Sequence, residues 1–115
     1  MNKPDIVTAI PKRRYKLGEF TLIVLGEIES NDDRDYGYIM AVVQGADSEP
    51  GIYLTAERNR SPDSEGYDMR LIMRDGEEVI GSSADWREVG AFTDAAISMV
   101  SSILNLSDEE PYRMM

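Results

Sequence analysis

From about residue 15 to residue 80 the chain alternates polar and apolar positions with a period of two, and beyond Gly81 the apolar spacing changes to three and four. The first pattern means strands and the second a helix. Phe20, Leu22, Val24 and Ile28 share one face of a first strand over about residues 15–28, with Thr21, Ile23 and Leu25 on the other. Its middle is apolar on both sides, which predicts a central place in a sheet. Gly18 or Gly26 is expected to mark a bulge or bend. A polar loop, Asn31–Asp35, precedes a second strand, Tyr36–Gln44; Ala46–Gly51 has the composition of a turn, and a third strand covers Ile52–Arg58. Asn59–Gly66, with Pro62, reads as a long loop. In the fourth strand Tyr67, Met69, Leu71 and Met73 oppose Asp68, Arg70, Ile72 and Arg74; Asp75-Gly76 then suits a tight hairpin returning along Glu77–Ile80.

Apolar residues at 89, 92, 96, 99, 103 and 106 predict a helix over Asp85–Leu106, capped by Ser83 or Asp85 and interrupted at Gly90. Strands in sequence without intervening helices favour an antiparallel meander. The expected fold is therefore α+β: one domain, a sheet of about five antiparallel strands, and one long C-terminal helix on one face. Residues 1–13, with Pro4 and Pro11, are expected to be an irregular arm, residues 14–107 the domain and residues 108–115 a tail. On a helical wheel the apolar stripe spans roughly 200°, wider than the ~100° that rests on one sheet. Ile97, Val100 and Leu104 lie on its side. Either a curved sheet or the arm covers them, or they form a homodimer contact or a docking surface.

Composition removes more than it adds. Among 115 residues there is no His and no Cys, so Ser-His-Asp and Cys-His nucleophiles, His/Cys zinc or haem sites and disulfides are excluded. The net charge of −10 is uneven: residues 1–16 carry +4 and residues 17–115 carry −14. So acidic a body repels phosphate backbones, and nucleic acid is not an expected partner. No leader-like or membrane-spanning apolar run is visible, which points to a cytoplasmic protein.

Asn31-Asp32-Asp33-Arg34-Asp35 spaces oxygen ligands as a calcium loop does, but Tyr36 stands where glycine is required and Val42 where a bidentate glutamate is, so no metal is assigned. The only lysines, Lys3, Lys12 and Lys16, lie in or beside the arm, and the nine glycines form no phosphate-cradling motif. No catalytic or cofactor-binding residue is singled out, and no cofactor is expected. Pro11-Lys12-Arg13-Arg14-Tyr15-Lys16 is the one basic run, a solvated tail or an arm for phosphates with Tyr15 stacking on a base. Tyr53, Arg70 and Arg74, with Arg58, Thr55 and Asp68, are placed on the polar sheet face, as a binding surface or as cross-strand ion pairs.

The order of several antiparallel strands followed by one helix is similar to that of single-strand-binding transcriptional coactivators. That resemblance implies a dimer binding nucleic acid on a curved basic sheet; it lies in element order alone, and the acidic strands here depart from it. The leading expectation is a small acidic non-enzymatic interaction protein with a protein partner, itself or another. The alternatives are a single-strand nucleic-acid module using the arm and the Tyr/Arg face, and a small-ligand or carboxylate-based enzyme domain.

Overall fold

The computed structural model describes residues 3–47, 49–59 and 66–114. Strands β1 (Ile6–Leu17), β2 (Phe20–Ser30), β3 (Tyr36–Gln44), β4 (Ile52–Arg58), β5 (Tyr67–Met73) and β6 (Gly76–Ser83) follow one another, then a 3-10 turn (Ala84–Arg87), helix α1 (Val89–Ile103) and a two-residue strand β7 (Tyr112–Arg113). All pair antiparallel in the order β6-β5-β4-β3-β2-β1-β7. The meander and the α+β class hold, with seven strands in place of about five.

The two additional strands are β1 and β7, at the ends of the chain. Residues 6–13, expected to be irregular, belong to β1. The strand expected over 15–28 is two strands meeting at Gly18-Glu19, where Leu17 pairs with Phe20. Gly18, at φ +58°, supplies the positive φ that a two-residue hairpin needs. Tyr15 and Leu17 before the turn, and Leu22 and Val24 after it, are all buried in one cluster, so the alternation changes from odd to even numbers across the turn. The 108–115 tail contains β7, which pairs Tyr112 with Lys16 and Arg113 with Tyr15. The Met114 N–H adds a bond to the Arg14 carbonyl at 2.7 Å. Of the loop expected at Asn59–Gly66, residues 60–65 lie outside the described residues; the Asn59 N–H donates to the Gly66 carbonyl, 2.9 Å, across it.

The sheet buries apolar side chains on both faces. On the first, Leu22, Val24, Met40, Val42, Leu54 and Met69 meet Phe92, Ala96 and Val100 of α1. The Ser83 hydroxyl accepts from the Asp85 N–H and starts the 3-10 turn; the break before the helix falls at Glu88, and Gly90 sits within the first turn of α1. On the second face Tyr36, Ile39, Ala41, Tyr53 and Ile72 form another cluster, against which Ile6, Leu25 and Ile28 pack. Ile28, expected beside Phe20 and Leu22, changes face because the backbone turns at Glu27 (φ +47°), where the β1–β2 register shifts. Further shifts between Ile6 and Thr8 and between Pro11 and Arg13 bend β1, as bulges do.

Candidate functional site

Four charged side chains gather on the second face beside its apolar cluster. Arg34, from the β2–β3 loop, donates through Nη2 to Glu77 Oε1 on β6 at 2.8 Å, and its Nη1 lies 3.8 Å from Glu57 Oε2 on β4. Arg70, on β5, donates through Nε to the same Glu57 oxygen at 2.9 Å and places Nη1 3.6 Å from Glu77 Oε1. Thr55, wholly buried on β4, donates its hydroxyl to Glu57 at 2.7 Å. Two guanidinium groups and two carboxylates thus neutralise one another across three strands and a loop. The hydrogen bond from Arg34 holds the Glu77 carboxyl below its ordinary range against the opposing effect of burial, with Arg70 adding to the attraction. Glu77 Oε2 is buried without a hydrogen-bond partner among the described residues.

Asp32 organises the loop that delivers Arg34. Its carboxylate accepts from the Asp5 N–H (3.1 Å), the Tyr36 hydroxyl (2.8 Å), the Arg34 N–H (3.2 Å) and the Ser30 hydroxyl (3.1 Å). Partial burial raises the carboxyl, but these bonds, led by that from Asp5, outweigh it and the net shift is downward. The oxygen-rich loop is therefore held together by internal donors, as Asp-rich turns are. No group of three or more Asp or Glu suited to a metal ion occurs among the described residues. Glu77 and Asp32 both stay ionised through the neutral range, so the cluster provides fixed charges, which suits positioning better than proton transfer.

The residues expected to form an interaction surface are dispersed. Val100 has no exposed area and belongs to the core, while Ile97 and Leu104 are half-buried and pack on it. The wide apolar stripe is matched by contacts to both the sheet and the segments flanking the helix, with Phe20, Trp86 and Leu106 joining the same cluster. Leu104 also lines a cleft of about 230 Å³ with Phe20, Val42, Gln44, Asp47, Gly51 and Ile52. Tyr53 is buried on the second face, where burial first and Glu49 second push its hydroxyl upward. Arg70 is committed to Glu57 and Glu77, and Arg74 is exposed in the β5–β6 turn. Tyr53 and Arg70 share the second face, as the alternation of β4 and β5 predicts, but as part of its packed interior.

Sequence reasoning missed the outer edge of β1. Strand β7 covers it only opposite Tyr15 and Lys16, with one further bond at Arg14. From Ile6 to Arg13 no other strand pairs with that edge among the described residues, and Val7 (53% exposed) and Ile10 (48%) lie open on it. Pro11, which has no N–H to offer a ladder, suits an edge position. The signal available was the proline pair flanking Ile6–Ile10, which favours an edge strand as much as an irregular arm. The basic run lies on this same strand, with Tyr15 turned into the core and Arg13 donating to its hydroxyl at 3.3 Å. No helix among the described residues is long and apolar enough to cross a membrane. Compared with protein-family models, curated proteins and solved structures, the chain finds no significant match.

Proposed function

We propose that this chain is a small acidic binding protein, without catalytic activity of its own, whose partner is another polypeptide docking on the free edge of β1. The observation that carries the reading is the stretch Ile6–Arg13, unpaired on its outer side among the described residues, with Val7 and Ile10 exposed on it. An unpaired edge offers a row of main-chain donors and acceptors on which another chain can pair. Adding a strand satisfies those groups, while exposed apolar side chains select the partner. The interlocked charges of Arg34, Glu57, Arg70 and Glu77 support the same reading, because they brace the sheet from β6 to the loop that follows β2. A rigid sheet presents its edge with little ordering cost.

Native mass spectrometry of the chain purified gently from its host tests the proposal, with a Val7→Asp/Ile10→Asp variant alongside. A co-purifying chain or a second copy that the variant loses, with its circular dichroism unchanged, is the expected result. A bare monomer for both proteins overturns it. The cleft at Leu104 favours a second reading, a small apolar ligand or an inserted side chain; an added mass of a few hundred daltons that a Leu104→Trp variant excludes would support it.

A further inference from the structure

We infer that the free edge of β1 accepts an extended acidic segment of another protein as an added antiparallel strand. The inference rests on the interaction reading above and names the chemistry of the partner. The edge already takes one such addition: β7 lies antiparallel against Tyr15 and Lys16, and the Met114 N–H continues the ladder to Arg14. An incoming strand extends that row along Ile6–Arg13, where the main chain of β1 is unpaired on its outer side among the described residues.

Charge selects the occupant. Lys12, Arg13, Arg14 and Lys16 all lie on β1, whereas residues 17–115 carry −14. Lys12 and Arg14 are exposed, and Lys12 pairs with the exposed Glu27 at 2.6 Å. An acidic segment is thus repelled by the body and attracted at this strand, which steers it to one edge of the sheet. The opposite edge, β6, carries no basic residue, and its Glu78 is exposed. Because an antiparallel strand along Ile6–Arg13 meets Arg13 and Lys12 first and Val7 last, acidic residues belong in its N-terminal half and apolar ones in its C-terminal half. A nucleic-acid strand fits less well: Tyr15, the aromatic of the basic run, is buried and presents no face for a base.

The probe is a fluorescein-labelled peptide of about 12 residues, Asp and Glu in its first half and alternating Val and Thr in its second, the length of an ordinary added strand. A second peptide has Lys in place of each acid. The acidic peptide is expected to bind the full chain and to slow amide exchange at residues 6–13. Its affinity should fall about tenfold between roughly 50 and 200 mM salt, and by at least about tenfold for Lys12→Glu/Arg14→Glu. Lys12→Gln/Arg14→Gln, which adds no like charge beside Glu27, gives an intermediate loss and controls for folding. Equal binding of the lysine peptide, binding without protection at residues 6–13, or no binding of either peptide overturns the inference. Tighter binding of a labelled oligothymidine, or self-association through β6 that rises with concentration, overturns it as well. The broader interaction reading is decided separately by the native masses of the Val7→Asp/Ile10→Asp variant.

Discussion

The guanidinium of Arg34 spans the second face of the sheet to reach Glu77, bonding at 2.8 Å to a residue 43 positions away on the edge strand β6. The same group approaches Glu57, whose side chain is only 10% exposed. Arg34→Ala leaves both carboxylates to Arg70, and partly buried carboxylates short of a counter-charge are costly. Because Arg34 and Glu77 keep about a quarter of their side-chain surface in water, the cost is discounted to about 1–3 kcal/mol. Urea unfolding should show that loss for Arg34→Ala and a smaller one for Glu77→Gln. The double variant should lose less than the sum, and strict additivity would mean that the pair is uncoupled.

Asp32 and Glu77 each tie stability to pH on the acid side. Both carboxyls are held below their ordinary values of 3.8 and 4.5, so the folded state is favoured above the unfolded values and loses that advantage as the pH falls through the lowered ones. Thermal melts from pH 6 down to about pH 2 should therefore fall more steeply for the native chain than for Asp32→Asn/Glu77→Gln. Parallel curves would remove these two groups as the cause.

Tyr36 has the opposite sign. Burial first, and its bond to Asp32 next, raise its hydroxyl above the ordinary value of 10.0. The unfolded chain ionises there while the folded chain resists, so stability is complete below about pH 10 and declines above it. Tyr36→Phe, less stable near neutrality because it removes a donor from Asp32, should show a flatter alkaline decline in the same melts.

Phe92 has no exposed surface and stacks on Tyr38 with ring centroids 5.6 Å apart. Phe92→Ala opens a cavity between helix and sheet and should cost about 3–5 kcal/mol, against about 1 kcal/mol or less for Phe92→Leu with repacking. A loss near that of Phe92→Leu in chemical denaturation would mean that α1 contributes little to global stability.

Gly18 tests the β1–β2 hairpin. A Cβ there meets only Leu106 side-chain carbons, at 3.6 and 3.7 Å, which is ordinary contact. The penalty of Gly18→Ala then comes from φ +58° alone and should be about 1 kcal/mol, with Gly18→Asn milder because Asn tolerates left-handed backbone. Equal melting temperatures for the two variants would contradict a backbone origin.

The middle of the chain was legible because each of its elements carries its own signal. Strands β3, β4 and β5 fall where the alternation places them, and the tight β5–β6 hairpin is present, but its two turn residues are Arg74-Asp75, one position earlier than the expected Asp75-Gly76, because Gly76 pairs with Met73 as the first residue of β6. Strand β1 was not legible, because Pro4 and Pro11 and three register shifts interrupt its period and its open residues Val7 and Ile10 follow no buried stripe. The two-residue β7 is too short to carry a period. Of the residues expected to form a surface, Val100 reads alike whether the stripe is covered or open, since a wheel records direction along one helix and not what lies opposite.

The sequence alone therefore determined the α+β class, the antiparallel meander, the one helix after β6 and the charge asymmetry, each of which follows from local periodicity or composition. The tertiary structure alone decided which side chains face water, how Arg34, Glu57, Arg70 and Glu77 converge, and which edge of the sheet is left open. Those properties depend on register and curvature, where one bulge moves a residue such as Ile28 to the other face, and neither is written in any single stretch of chain.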